Sequence, residues 1–458
     1  MSARFDAIII GAGQAGPPLA ERLTKAGMKV AVIERSRFGG TCVNTGCMPT
    51  KALVASAYAA HLAGCGADFG FAAGEVRVDM KAVAARAGAI SARASAGVES
   101  WLRRMDNCVV YKGSARFESP GKVRVGADLL EADRIFINVG ARAATPQMPG
   151  IEQISYLTNS SMVRLDVLPT HLAIIGGSYI GLEFAQIYRR FGAKVTVVEM
   201  APRLVSREDS DVSAAIKSML ESEGVDIRVD AECIRFARRG EDILVGVNCL
   251  AGEPEIACSH VLLAIGRRPN TDDLGLDQAG IATDARGHIV VDDQLRASVP
   301  GVFALGECNG RGAFTHTAYN DFEIVAANLL DNDPRRVSDR IEAYALYVDP
   351  PFAKVGMSMA AAKASGRRVL VGERPMTRVG RAVEKGETTG FMRILVDADS
   401  REILGAAIFG TGGDEAIHCV LDLMYAKAPY TTLQRAVNIH PTVSELLPTL
   451  LGELKPLA

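Results

Sequence analysis

Two cysteines, Cys42 and Cys47, stand with four residues between them in Gly39-Gly40-Thr41-Cys42-Val43-Asn44-Thr45-Gly46-Cys47-Met48-Pro49-Thr50-Lys51. Thiols this close in sequence can alternate between dithiol and disulfide if their Cα atoms come within about 4.4–6.8 Å. On one regular helix a five-residue step turns the side chains onto different faces. The backbone must therefore bend between them, and Gly46 is the residue that permits it. Pro49 has no N–H and suits a first helical turn, which the alanine-rich run 52–63 continues. A cysteine at such a helix start is favoured as the thiolate. By spacing alone, two buried cysteines beside a turn remain the alternative. Near the other end lies His440-Pro441-Thr442-Val443-Ser444-Glu445. An imidazole there could move a proton near neutral pH, with the carboxylate orienting it. Alone, such a histidine is more often structural.

Those groups need a scaffold. Residues 5–10 form an apolar strand running into Gly11-Ala12-Gly13-Gln14-Ala15-Gly16, then a helix over 17–26 and a strand over 29–33 that ends at Glu34. This order is the dinucleotide fingerprint: glycines admit a pyrophosphate, the helix N-terminus faces its charge, and the acid accepts from a ribose. One copy is a weak signal. It recurs at 172–175, Gly176-Gly177-Ser178-Tyr179-Ile180-Gly181, a helix to Phe191 and a strand over 194–198 ending at Glu199. The interval from Gly11 to Glu34 equals that from Gly176 to Glu199. Ser178 replaces the middle glycine, which would hold a pyrophosphate slightly farther from the backbone.

Between the copies, 80–105 reads as a long helix, followed by short strands at 108–111, 115–118, 122–125 and 134–138, closed by Gly140. Residues 144–150 mark a crossing, and 262–266, ending in Gly266, parallels 135–140. A helix over 314–330 and a charged linker over 332–340 follow. Strands at 367–372, 390–396 and 402–408 then alternate with helices around 359–365, 414–426 and 431–436. The 458 residues exceed one ordinary core, and the length suggests about three domains. A net charge of −2 gives no reason to expect nucleic acid or an anionic membrane. No signal peptide or spanning run is expected. Nine cysteines, scattered outside the first motif, do not make a secreted disulfide framework. A reducing cytoplasm is expected, with Cys65, Cys108, Cys233, Cys249, Cys258, Cys308 and Cys419 free and without metal-ligand spacing.

The run from Gly39 to Lys51 closely resembles the redox-active motif of the FAD-dependent pyridine nucleotide-disulfide oxidoreductases, which include dihydrolipoamide dehydrogenase, glutathione reductase and mercuric reductase. The resemblance covers nearly the whole chain. It implies an α/β fold with two Rossmann-like dinucleotide-binding domains, the FAD domain split by the NAD domain, and a C-terminal α+β dimerisation domain. The expected boundaries are 1–145 with 270–335 for FAD, 146–269 for NAD(P), and 336–458 for the interface. It implies a Cys42–Cys47 redox disulfide, Cys47 nearer the flavin and Cys42 attacking the substrate. His440 and Glu445 would act across a homodimer interface. Lys51 and Glu183 would form an ion pair near the flavin, and Tyr179 would cover the nicotinamide pocket. Gly11, Gly13, Gly16, Glu34, Gly40, Thr41, Lys51 and Gly140 are expected at FAD. Gly176, Gly177, Tyr179, Gly181, Glu199 and Gly266 are expected at the nicotinamide nucleotide. Gly301-Val302-Phe303-Ala304-Leu305-Gly306-Glu307 resembles the second FAD motif, with Glu307 in place of an aspartate. Glu199 favours NAD(H), although Arg203 and Arg207 lie close by.

The segment Phe314-Thr315-His316-Thr317-Ala318-Tyr319-Asn320-Asp321 is most similar to the mercuric-reductase-like branch that includes reactive-chlorine-resistance flavoproteins. True mercuric reductases carry a C-terminal cysteine pair, whereas no cysteine follows Cys419 here. The expected activity is reduction of a disulfide or metal ion by NAD(P)H in stress defence. Dihydrolipoamide dehydrogenase is the rival enzyme, with Tyr179 against it. A redox sensor that binds FAD without turnover is the rival of another class.

Overall fold

The computed structural model describes residues 2–145, 147–231, 234–248 and 254–457. The chain begins with β1 (Ala3–Ile10), α1 (Gly16–Lys25), β2 (Val30–Glu34), α2 (Gly40–Asn44), α3 (Cys47–Gly64) and α4 (Met80–Arg103). Strands β3 (Cys108–Lys112), β4 (Ala115–Ser119), β5 (Lys122–Val125), β6 (Asp128–Ile137) and β7 (Ala141–Ala143) follow. The first sheet runs β3-β2-β1-β6-β5-β4. β1 pairs in parallel with β2 and β6, setting Ile9 beside Val32 and Phe136. Both faces of that strand are covered, so Ala7, Ile8 and Ile9 are all buried although they point alternately. β6 begins at Asp128, earlier than the expected 134–138, because its first half closes an antiparallel hairpin with β5.

After α5 (Asn159–Met162) the pattern repeats with β8 (His171–Ile175), α6 (Tyr179–Phe191), β9 (Lys194–Val198), α7 (Ser210–Ser222) and β10 (Asp226–Arg228). An antiparallel set, β11 (Arg235–Arg239), β12 (Asp242–Gly246) and β13 (Glu255–Cys258), precedes β14 (His260–Leu263) and β15 (Arg267–Pro269). The second parallel sheet runs β10-β9-β8-β14. β15 pairs antiparallel with β7, so the outward and return crossings lie side by side. β16 (Val302–Ala304) then rejoins the first sheet beside β6, ahead of α8 (Thr315–Ala326).

The C-terminal part holds β17 (Ala343–Leu346), β18 (Phe352–Gly356), α9 (Met359–Ala364), β19 (Val369–Pro375), α10 (Gly380–Glu384), β20 (Phe391–Asp397) and β21 (Ile403–Phe409). Helices α11 (Gly413–Ala416), α12 (His418–Tyr425), α13 (Tyr430–Gln434) and α14 (Leu446–Gly452) precede β22 (Lys455–Pro456). Its sheet runs β17-β18-β21-β20-β19-β22. β17 and β18 escape the sequence pattern because alanines and Lys354 dilute their strand character; β18 is held by pairing with β21, and β17 by pairing with β18. The stretch 332–340 is not a free linker. Asp293 accepts from Ser338 N at 3.0 Å, and Arg340 pairs with the buried Asp321. Cys65, Cys108, Cys258, Cys308 and Cys419 are free thiols, while Cys233 and Cys249 lie outside the described residues. Among the described residues no helix is long and apolar enough to cross a membrane.

Candidate active site

The short helix α2 carries Cys42 and the long helix α3 starts at Cys47. Gly46 makes the break between them, at φ −133° and ψ −119°. A Cβ on Gly46 would lie 2.9 Å from the Thr41 carbonyl oxygen, so the turn is closed to other residues. The two sulfurs are free thiols within hydrogen-bonding reach of one another. That hydrogen bond chiefly lowers Cys47 to about 6, helped by the Thr315 hydroxyl and the Lys51 charge against burial and Glu183. The same bond, burial and the Cys47 charge drive Cys42 well above the usual thiol range. One sulfur is thus a thiolate at neutral pH while its neighbour keeps its proton.

Thr315, at the first position of α8, places Oγ1 3.2 Å from the Cys47 sulfur. Lys51, one turn into α3, donates to both Glu183 oxygens at 2.8 Å. Glu183, on α6, is buried and also accepts from Tyr347 N at 3.1 Å. The Lys51 ammonium stands 4.4 Å from the Tyr347 ring centroid. Segments beside the first sheet, the second parallel sheet and the C-terminal sheet therefore meet at the cysteines. Thr315 and Tyr347 were not found from sequence. A hydroxyl opening the 314–330 helix was a signal for Thr315; Tyr347 had no local signal.

The two glycine turns are near copies. Gly11 has φ 105° and Gly176 has φ 112°. A Cβ at these positions would sit 2.3 Å from Asn138 O and 2.4 Å from Ala264 O respectively. Ser178 is at φ −111°, an ordinary extended value, which explains why this turn needs no middle glycine. Glu34 accepts from Ala12 N at 2.9 Å and Ser36 N at 2.8 Å. Glu199 accepts from Gly177 N at 2.6 Å and Ala201 N at 2.8 Å. Each acid thus braces its own turn, with lone pairs left for a ribose. α6 has no side-chain cap and no acid in its first turn, so its first N–H groups are open to an anion; in α1 Pro17 and Pro18 carry no N–H and Gly16 N bonds Gly13 O at 3.0 Å, so an anion there would be met by the glycine turn ahead of the helix. Both turns open on one cavity of about 2490 Å³, which also reaches Cys42 and Cys47. These features fit two dinucleotides.

Gly13, Gly40, Thr41, Gly140, Tyr179, Gly266 and Glu307 line this cavity, as do Glu34, Lys51, Glu183 and Glu199. Gly16, Gly177 and Gly181 stand behind it. A Cβ on Gly16 would lie 2.4 Å from Gly11 O, and one on Gly181 2.1 Å from Gly176 O. A Cβ on Gly177 would lie 2.6 Å from Leu204 Cδ2. These three glycines let the turns close and touch the cavity only through their neighbours. Glu307 is held by Arg267, Nε to Oε1 2.6 Å, a partner the sequence did not disclose. Arg207 lines the cavity, whereas Arg203 bonds Ser206 O at 3.1 Å. His440 Nδ1 lies 3.0 Å from Glu445 Oε2, on a loop where Val437 and Ile439 are exposed. This pair is not part of the lining around its own chain's cysteines.

The family described as pyridine nucleotide-disulphide oxidoreductase matches residues 5–321, and its dimerisation domain matches 343–451. The chain belongs to this family. Among curated relatives, a probable pyridine nucleotide-disulfide oxidoreductase, RclA of Escherichia coli, is 34% identical over 99% of this chain and 100% of its own. A dihydrolipoyl dehydrogenase of Rhizobium etli is 32% identical over 98% of this chain and 97% of its own. A mercuric reductase of Streptomyces lividans is 30% identical over 97% and 94%. A solved structure titled as the Cu(II) complex of HOCl-induced flavoprotein disulfide reductase RclA from Escherichia coli superposes with a TM-score of 0.90. It has 33% identity and covers 99% of both chains. As in the family, this chain is an FAD-dependent NAD(P)H oxidoreductase acting through a redox disulfide.

Proposed function

We propose that the chain uses NADH, in a reducing cytoplasm, to reduce a small disulfide or a metal ion through Cys42 and Cys47. The observation that carries this is the single cavity that both glycine turns share with Cys42 and Cys47, where Thr315 Oγ1 stands 3.2 Å from the Cys47 sulfur. Bound FAD supplies the two-electron relay between reduced nicotinamide and the disulfide. Gly11, Gly13, Gly16, Glu34, Gly40, Thr41, Lys51, Gly140 and Glu307 would hold it, within an outer unit of 1–145 and 270–335. Gly176, Gly177, Tyr179, Gly181, Glu199 and Gly266 would hold NAD(H), within 146–269. Residues 336–458 would join two copies into a homodimer.

With a disulfide acceptor, the partner subunit's His440 takes the Cys42 proton as that sulfur attacks one acceptor sulfur, and returns the proton to the first thiol as it leaves. The partner's Glu445 steadies that imidazole. The Cys47 thiolate then attacks Cys42, releases the second product as its thiolate, which takes a proton from water, and closes the Cys42–Cys47 bond. Lys51 and Thr315 hold Cys47 ready as the attacking anion. Steady NADH oxidation with Cu(II), Hg(II) or small disulfides is expected; activity confined to dihydrolipoamide would contradict the proposal. Glu199 repels a 2′-phosphate, so kcat/KM for NADH should exceed that for NADPH, and the reverse order would refute the cofactor assignment.

A further inference from the structure

Glu208, in the loop before α7, is only 3% exposed. Its Oε1 accepts from the Tyr179 hydroxyl at 2.9 Å and also from the Tyr344 hydroxyl. Its Oε2 lies 3.8 Å from Lys354 Nζ, and Lys354 donates to the Tyr344 oxygen at 3.3 Å. The Tyr179 ring meets Phe314 edge-on at 6.2 Å between centroids and Tyr344 at 5.6 Å. Phe314 stacks on Tyr344 at 5.4 Å and directly precedes Thr315, whose hydroxyl contacts Cys47. A buried carboxylate is stable only when paired, and charge-assisted bonds to it are short and directional. Burial, chiefly, raises both phenols, so they remain donors.

Tyr179 opens α6, and Glu183 stands one turn later on the same helical face. The way from the second glycine turn to the Lys51–Glu183 pair and Cys47 runs along that face. Tyr179, at the start of that face, lines the cavity.

We infer that Glu208 is a positioning residue for nucleotide binding. It ties the Tyr179 ring across the path of the nicotinamide, with Tyr344 and Lys354 anchoring the tie to the C-terminal sheet. The inference rests on the reading that a nicotinamide dinucleotide is the donor. Because the ring must yield, tethering it lowers the fraction of enzyme competent to bind. Glu208→Gln, close in shape, keeps an acceptor oxygen but loses the charge that strengthens both bonds, and should loosen the tie.

The test is isothermal titration of oxidised holoenzyme with NAD⁺ and with ADP-ribose, which lacks the nicotinamide. Glu208→Gln should bind NAD⁺ more tightly, by roughly three- to tenfold, about one net hydrogen bond. Its affinity for ADP-ribose should not change. Tyr179→Phe, which keeps the ring and loses the hydroxyl, should do the same, and the double variant should gain no more than either single one. An unchanged NAD⁺ affinity, an equal change for ADP-ribose, or additive effects would overturn the role of Glu208 alone. A wild-type protein that binds ADP-ribose but shows no further contribution from the nicotinamide of NAD⁺ would overturn the role of Glu208 as well. One that binds NAD⁺ but oxidises no NADH would overturn only the donor reading.

Discussion

Cys47 is lowered by its hydrogen bond to Cys42, and then by the Thr315 hydroxyl and the Lys51 charge. Because its thiolate is favoured, alkylation of the reduced protein should be rapid above pH about 6 at Cys47, with Cys42 reacting only at higher pH. Thr315→Val removes a donor to the charged form. It should raise the apparent pKa of Cys47 by about one to two units, since such a bond is worth roughly 1.5–3 kcal/mol. The pH dependence of iodoacetamide alkylation, site by site, measures this; an unshifted profile would show that Thr315 is a bystander. The cysteines themselves were legible because a bent five-residue step needs a glycine at one place. Thr315 was not, since its role depends on a contact across 268 positions of sequence.

α3 and α6 are joined by Lys51 and Glu183, the latter buried. Lys51→Met would leave the Glu183 carboxylate with the Tyr347 N–H and little else. The expected loss is roughly 2–3 kcal/mol in urea denaturation, below the fully buried range because the Lys51 side chain is a third exposed. A midpoint equal to wild type would mean that water replaces the lysine. The strand–turn–helix units were readable because backbone approach itself demands Gly11 and Gly176: a carbonyl oxygen waits about 2.3–2.4 Å from any added Cβ. β17 and β18 were not readable, since β18 is held by β21 and β17 by β18 rather than by their own strand character. The return of Glu34 and Glu199 onto their turns was also hidden, as sequence shows an acid at the strand end but not where its oxygens point.

On the scale of the molecule, the fold brings two dinucleotide turns and the cysteine pair to one cavity, and leaves His440 and Glu445 outside the lining of that cavity. If the second subunit supplies them, refolding Cys42→Ser chains with His440→Gln chains should restore one intact site per mixed dimer. Disulfide-reductase activity should return to about a quarter of wild type in a statistical mixture. Activity no greater than that of the separate variants would place the histidine within its own chain. The order of domains was legible because a repeated fingerprint survives interruption; the assembly of the site across chains rests on resemblance, since nothing local in 440–445 points to a partner.

Turnover in this mechanism requires that electrons pass through the Cys42–Cys47 bond. Anaerobic titration of the oxidised holoenzyme with dithionite, following flavin absorbance and free thiols together, tests it most directly. The wild type should take up one two-electron equivalent more than Cys42→Ser or Cys47→Ser, with two thiols appearing at these positions. Equal uptake by all three proteins would contradict it.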